Sequence, residues 1–393
     1  MSCSFVIFES KIIHNDCKII YRKTRVSIMG LINSILGKKD AAIKSYADFW
    51  NWFEKNEKVF FEAVMSKGEN IEKDFFDKLS PKLGELKKGY FFLAGMMNDT
   101  TAELVLTADG NIKNIVFVEE LVHAAPKLPN WKFTALKPAI DINNLGIQMN
   151  GFTFDKDNLF FYSNDENEFP DKIDITIVHL DCTKENEAII TNGTFIFLDN
   201  YLGELHFTEN IDRINVIGTA EANKELVPIE KLKDFLIWRQ KEFVEKYEGV
   251  RHDTENDGYA SLEATLNNGM PLMAVINSTL FEWDAKPSHP WIVAIRIGYN
   301  GEDNNGFPDS EMFNLLNEIE DDFLMVKLKD SEGYLNLGRE TADSLREIYF
   351  ACKDFRKPSI VLEEIKNQFA SQVDIEYEIY KDKYWQSFSR FMN

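Results

Sequence analysis

The sequence predicts an α+β protein of two domains. A chain of 393 residues is long for a single hydrophobic core and suits two. Its 44% hydrophobic and 13% aromatic residues are enough for two cores, which argues against intrinsic disorder. Residues 290–385 alternate in the order strand–helix–strand–strand–helix–strand. This order is typical of a split βαβ, or ferredoxin-like, sandwich, so we expect that architecture in the C-terminal domain.

Residues 1–44 are expected to form an N-terminal extension and a lead-in helix. Residues 1–28 carry a net charge of +3, whereas the whole chain carries −21. This contrast favours Met29 as the natural start of translation. The sequence Met29-Gly30-Leu31-Ile32-Asn33-Ser34 also fits the myristoylation pattern, with a short amphipathic helix as the alternative.

Residues 45–220 are expected to form the first α+β domain. Helical spacing of aromatic and aliphatic residues predicts helices at 46–64, 71–83 and 185–202, and at 112–125 it favours a helix over a strand. Period-two patterns predict strands at 90–97, 102–107, 131–136, 173–180 and 211–217. Gly151–Phe154 and Leu159–Tyr162 flank the polar segment 155–158, and this pattern predicts a β-hairpin.

Residues 221–250 are expected to form a linker and a connecting helix, and residues 251–393 the second domain. In that domain we expect strands at 259–266, 271–278, 291–299, 333–340, 345–352 and 373–380. A stripe from Met312 to Phe323 predicts one helix, capped by Asp309, and a stripe from Val361 to Phe369 predicts another. Both helices would cover one face of the sheet.

Charge and composition exclude several classes of protein. Nucleic-acid binding needs a clustered basic surface, and this chain is strongly acidic, so we expect no nucleic-acid partner. The apolar runs are strand-sized, so we expect no membrane span. Four cysteines without CxxC or metal spacing favour a reducing cytoplasm. The sequence also lacks Walker, GxGxxG, HExxH and GxSxG motifs, and we expect no cofactor, no metal and no catalytic set.

Four groups of residues are low-specificity binding candidates. His289 could act with Arg251-His252-Asp253 and Asp257 in acid–base work, or it could simply begin a strand. Asn304 and Asn305 could present amides to a ligand, or form a turn before a helix cap.

Arg339 and Arg346 could reach an anionic group, or form cross-strand ion pairs with Glu340 and Glu347. Asp199 and Glu204 could act as an acid–base pair. Alternatively, Gly203 ends a helix and both carboxylates face water.

The second half resembles a bacterial group called domain of unknown function 695. The resemblance covers about residues 250–390 and lies in His289-Pro290-Trp291, 304–309, 346–350 and Tyr384-Trp385. More distantly, this part is similar to the B-type regulators of ribonuclease E activity, which are small, acidic, ferredoxin-like inhibitory proteins. The resemblance implies a non-catalytic, partner-binding sheet, in which Trp291 belongs to the shared motif. The first half, in Ala102–Thr107, Leu121–Trp131 and Phe197–Glu204, resembles another uncharacterised bacterial domain.

Two functions follow from these observations. The first is a bacterial cytoplasmic binding module, which would be a regulator or immunity-type inhibitor of a basic enzyme or toxin. The alternative is an enzyme or small-ligand sensor with its site in an inter-domain cleft. The sequence leaves the oligomeric state open.

Overall fold

The computed structural model describes residues 11–12, 42–66 and 71–391. Helices and strands are mixed throughout, so the α+β class is confirmed. The chain divides into two compact units, one running to Asn164 and including Ile173–Ile237, the other made of Asp165–Lys172 and Trp238–Asn393. The expected start at Met29 and the lead-in helix lie outside the described residues.

The first unit contains three small sheets and the helices beside them. Its helices are α1 (Tyr46–Met65), α2 (Asp77–Leu86), α3 (Ile112–His123), α4 (Glu187–Leu202) and α5 (Glu204–Asn210). Its strands are β1 (Lys11–Ile12), β2 (Phe91–Asn98), β3 (Thr101–Thr107), β4 (Trp131–Ala135), β5 (Ile147–Met149), β6 (Phe152–Phe154), β7 (Leu159–Ser163), β8 (Asp174–His179), β9 (Arg213–Gly218) and β10 (Val227–Pro228).

Most strands of this unit pair with the next strand in the sequence, and the exceptions are the pairs β1–β5 and β7–β10. The sheets have the orders β2-β3-β4, β10-β7-β8-β9 and β1-β5-β6. The predicted hairpin of residues 151–162 is wrong, because β6 pairs with β5 while β7 pairs with β8 and β10. β3 and β4 are parallel, so their carboxyl ends lie at the same edge of their sheet.

Aromatic packing holds α1 to this sheet. Ser45 caps the helix by accepting a hydrogen bond from the Asp48 amide. The ring of Phe53 then packs edge-on against Trp131 and Phe133, with centroids 5.1 and 5.4 Å apart. Such pairs add to the free energy gained by burying the rings. The predicted stripe is therefore the core face of a helix.

The second unit is built on one six-stranded sheet. Its strands are β11 (Tyr259–Thr265), β12 (Pro271–Asn277), β13 (Trp291–Gly298), β14 (Tyr334–Ala342), β15 (Leu345–Cys352) and β16 (Asp374–Lys381). The helix α6 (Leu232–Tyr247) leads into it, and the unit adds α7 (Ser278–Glu282), α8 (Ser310–Asn317), α9 (Met325–Lys327) and α10 (Arg356–Phe369). A π-helical segment, Glu318–Leu324, joins α8 to α9.

The sheet has the order β11-β12-β14-β15-β13-β16, and every neighbouring pair is antiparallel. The six strands and two helices expected here are all present. Asp309 caps α8 as predicted, accepting from the Met312 amide at 2.8 Å. The buried Trp385 and Phe388, near the C-terminus, pack with residues of the sheet.

Asp171 anchors the inserted segment Asp165–Lys172 to the rest of the second unit. Its carboxylate accepts hydrogen bonds from Lys246, Tyr247 and Tyr384, each at 2.8 Å. Lys383 donates to the Asp171 carbonyl at 2.7 Å. Although burial opposes it, this set of donors lowers the pKa of Asp171.

Among the described residues, no helix combines the length and the apolar character needed to cross a bilayer.

Candidate functional site

The loop between β13 and α8 is held in shape by the turn between β14 and β15. Gly306 has a φ of +83°, and a Cβ there would lie 2.7 Å from the Asp343 amide nitrogen, so only glycine fits without strain. The Gly306 carbonyl accepts from the Ser344 amide and the Tyr299 hydroxyl, both at 2.8 Å. Asn305 is also left-handed, with φ 53°. The predicted turn at Asn304 and Asn305 is therefore present.

This loop and α8 enclose an open cleft of about 400 Å³. Its walls include the carboxylates of Asp303, Asp309 and Glu311, and the apolar side chains of Phe307, Met312 and Leu315. The other lining residues are Asn300, Gly301, Asn304 and Gln372. Asn304 lies in the cleft, but its side-chain amide already donates to the Pro308 carbonyl at 3.0 Å. We call this feature the acidic cleft.

The chain segment that forms most of the acidic cleft has charges of one sign only. Residues 297–326 contain no lysine or arginine. They contain exposed carboxylates at Glu302, Asp303, Asp309, Glu311, Glu318, Asp321 and Asp322. A simple count of basic residues along the sequence could have found this stretch. Such an arrangement creates a negative potential that attracts cations and basic groups.

Arg339 and Arg346 form an ionic cluster with the buried Glu320, and we call it the Glu320 cluster. The predicted β14–β15 hairpin places Thr341 opposite Arg346. The π-helical segment brings Glu320 to 3.0 Å from Arg339 and 3.9 Å from Arg346. Arg346 is 2% exposed and also donates to the Asn317 side-chain oxygen at 2.9 Å. Both guanidinium groups are therefore occupied by the protein's own acceptors, with Glu320 rather than Glu340 or Glu347 as the carboxylate.

Burial shifts the pKa of both the carboxylate and the guanidinium group in this cluster. It raises the pKa of Glu320 despite the nearby guanidinium groups, and it lowers the pKa of Arg346 despite the carboxylate. No pattern in the sequence singles out Glu320, because it lies among other acidic residues of the π-helical segment.

Asp199 and Glu204 lie in the first unit, where both are engaged by Lys137. Lys137 follows β4, and its ammonium contacts Asp199 at 2.7 Å and Asp109 at 3.1 Å. Glu204 is fully buried and accepts from Thr107, from the Gly110 amide and from the Lys137 amide. Because β3 and β4 are parallel, Thr107 and Lys137 meet at one sheet edge. The expectation that both carboxylates face water is wrong, although Gly203 does end α4 as predicted.

The charges in this cluster are mutually dependent. Burial acts to lower the pKa of Lys137, but Asp199, Asp109 and Glu204 outweigh it and raise the pKa above its ordinary value. Burial raises the pKa of Asp199 even though Lys137 acts to lower it. An ammonium held protonated in this way is a poor nucleophile, so the cluster favours a structural role.

His289 and Trp291 are core residues of the second unit. His289 is 2% exposed and its Nδ1 lies 2.8 Å from the Ser288 hydroxyl, while its Nε2 has no hydrogen-bond partner in the described part of the chain. Trp291 is buried against Phe355, with ring centroids 4.8 Å apart. His252 pairs with Asp257 at 2.9 Å, and the Trp283 ring lies close to both histidine rings.

The buried His289 predicts an acid-sensitive stability. Burial, together with the charges of Lys353, Arg251 and His252, lowers the pKa of His289 from 6.5 to about 4. The unfolded chain binds this proton more readily below pH 6.5, so folding stability falls as pH falls toward 4. We expect the wild type to lose about 2 kcal/mol more than His289→Asn between pH 7 and 5. Urea unfolding at pH 7 and pH 5 measures the free energy of unfolding of both proteins. Equal losses in the wild type and in His289→Asn would contradict the prediction.

The predicted residues do not form one site. Within the second unit, His289 precedes β13 whereas Arg346 lies opposite Ile297 at its far end, about 20 Å along the strand. Asn304 and Asn305 lie in the loop beyond that far end. In the described parts of the chain, no three His, Cys, Asp or Glu side chains are arranged to hold a metal ion.

Comparison with known proteins gives one match. No curated protein and no solved structure matches the chain significantly, so the more distant resemblances stay predictions. Residues 262–393 match the model of a family of unknown function, DUF695. The matched segment begins in β11 and contains the acidic cleft and the Glu320 cluster. The resemblance expected over about residues 250–390 is thus confirmed, and the C-terminal part of this chain is similar to the DUF695 family.

Proposed function

We propose that this chain is a non-catalytic binding protein whose acidic cleft recognises a basic partner protein. The observation that carries the proposal is the acidic cleft with its surroundings, residues 297–326, where exposed carboxylates occur without a single basic residue. Within residues 297–326, none of the seven exposed carboxylates forms an ion pair with the described chain. Their charge therefore remains available to a partner.

The lining of the acidic cleft suits a lysine or arginine side chain. Such a side chain has an apolar stem and a charged head, and it buries the stem while keeping the head in a polar environment. Phe307, Met312 and Leu315 would contact the stem, and Asp303, Asp309 and Glu311 would face the head. The nearby Phe313, 45% exposed, adds an aromatic contact of the kind enriched in protein interfaces.

The same proposal includes the finer description of the fold. We propose two domains, of which the C-terminal one is a ferredoxin-like sandwich extended by the β11–β12 hairpin. The strand order β14-β15-β13-β16, with helices following β13 and β15, supports this description. The free thiols of Cys182 and Cys352 are compatible with the reducing bacterial cytoplasm in which we place an inhibitor or regulator.

The test compares two variants of equal charge. The cleft variant carries Asp303→Asn, Asp309→Asn and Glu311→Gln, and asparagine keeps the helix cap at 309. The control carries Glu221→Gln, Glu225→Gln and Glu230→Gln, three exposed positions of the first unit. Fluorescence anisotropy would measure binding of lysine-rich, arginine-rich and neutral peptides of equal length at low and physiological salt.

We expect the basic peptides to bind, with an affinity that falls as salt rises. The cleft variant should bind about tenfold more weakly, and the control should change by less than about twofold. Affinity capture with the same three proteins then identifies a partner that the wild type and the control retain and the cleft variant loses. Equal weakening by both variants, or no preference for basic peptides, would refute the proposal.

A second candidate is ligand sensing, which one observation favours. Among the described residues, the Nε2 of the buried His289 has no hydrogen-bond partner, and the His289 ring contacts the half-buried Trp283, which in turn contacts His252. A ligand that donates a hydrogen bond to this nitrogen would raise the unfolding temperature of the wild type and leave that of His289→Asn unchanged. A thermal-shift screen of cellular metabolites checks this.

A further inference from the structure

The two edges of the six-stranded sheet differ in charge. The edge strand β16 has a charged residue at almost every second position, namely Asp374, Glu376, Glu378 and Lys381. Charges of this kind are what natural proteins use to keep edge strands from pairing with other chains. The opposite edge strand, β11, carries only Glu263. In the hairpin and its flanks, residues 258–281, Glu263 is again the single charged residue.

β11 also lacks the other features that protect an edge. It pairs with β12 over all seven residues without a register shift, so no bulge twists it away. It contains no proline and no lysine, and its side chains are exposed, with Tyr259 at 52% and Leu262 at 38%. Met273 on the neighbouring strand is 47% exposed. Low charge together with exposed aromatic and methionine side chains is typical of the core of a protein interface.

We propose that β11 pairs antiparallel with β11 of a second copy of this chain and joins two sheets into one. The low charge of this edge indicates which partner binds there. A basic partner would bind to carboxylates, and in residues 258–281 the only carboxylate is that of Glu263. Two copies of a chain with a net charge of −21 repel each other least where their charges are absent, which is here.

We place the twofold axis at Leu262, which keeps the two Glu263 carboxylates from facing each other. A twofold axis through Leu262 places Leu262 opposite its own copy and Glu263 opposite Ser261 of the second copy. Tyr259 then lies opposite Thr265 of the second copy. An axis through Glu263 would instead place two carboxylates opposite each other, which is unfavourable in a sheet.

Sedimentation velocity of the full chain over a range of concentrations tests the dimer. We expect the mass to rise from 45.5 kDa toward twice that value. Added salt should tighten the dimer because it screens like-charge repulsion, whereas salt weakens binding of a basic partner. The two proposals can therefore fail separately.

Two variants locate the interface. Leu262→Lys places two ammonium groups opposite each other and should raise the dimer dissociation constant about tenfold or more. Val326→Lys also introduces a lysine, at a 56% exposed residue of α9, and should change the dimer dissociation constant by less than about twofold. Leu262→Cys should form a disulfide between copies under mild oxidation, whereas Glu263→Cys should not. A monomer at all concentrations, or a dimer indifferent to Leu262→Lys, would overturn the proposal.

Discussion

Replacing Lys137 with methionine is expected to destabilise the protein by about 3–5 kcal/mol. The ammonium lies 2.7 Å from Asp199 and 3.1 Å from Asp109. The charge of the fully buried Glu204 also stabilises the protonated form of Lys137. Methionine fills a similar volume without charge, so the variant keeps buried carboxylates without their cation. Urea denaturation at pH 7 measures the free energy of unfolding.

The surface pair of Lys132 and Glu103 provides the control. Their atoms are 2.8 Å apart, but Lys132 is 47% exposed, so Lys132→Met should cost less than about 1 kcal/mol. The loss in Lys137→Met should also shrink between pH 7 and 5. Burial already raises the pKa of Asp199, and without Lys137 it rises further, so protonation favours the folded state as pH falls. Equal losses in the two variants would show that the cluster contributes no more than an exposed pair.

Glu320→Gln is expected to cost about 3 kcal/mol, because it leaves Arg346 charged and 2% exposed without a carboxylate. The matched control is Glu364→Gln, which breaks the exposed Lys327–Glu364 pair at 2.6 Å. Both changes remove one carboxylate from a helix of the same unit, yet the control should cost less than about 1 kcal/mol. Thermal and urea unfolding of both variants measure the difference.

A double substitution separates charge from packing in the Glu320 cluster. Glu320→Leu with Arg346→Met removes both buried charges while keeping apolar volume, and it should recover most of the stability that Glu320→Gln loses. A double variant as unstable as the sum of its single variants would mean that shape, rather than charge balance, holds the π-helical segment over the sheet.

Local patterns in the sequence predicted local structure well. The stripe from Met312 to Phe323 and the cap at Asp309 correctly predicted a helix, because both depend on residues within one or two turns. The hairpin at 151–162 failed because β6 pairs with the preceding strand β5, while β7 pairs with β8 and β10. Asn150 and Gly151, with φ of 52° and 86°, form the two-residue turn between β5 and β6, and an Asn-Gly pair is a strong local signal for such a turn.

In the candidate sites too, the features that depend on nearby residues were predicted, and the contacts between distant residues were not. The sequence predicted that Gly203 ends a helix, but the burial of Glu204 depends on Thr107 and Lys137, which are 97 and 67 residues away. Likewise, the Arg339–Arg346 pair was recognised, whereas its carboxylate partner comes from the helix before β14. Charge clusters that assemble across a fold leave no spacing in the sequence by which to recognise them.

The anchoring of Asp171 has a consequence for biosynthesis. Residues 165–172 leave the ribosome well before Lys246 and Tyr247, and more than two hundred residues before Lys383 and Tyr384. Until then the segment has none of these binding groups, although chains generally begin to fold from the N-terminus during synthesis. Completion of the second unit therefore has to wait until Lys383 and Tyr384 have been synthesised. No single proteolytic cut between the units could release the second unit with its anchor intact.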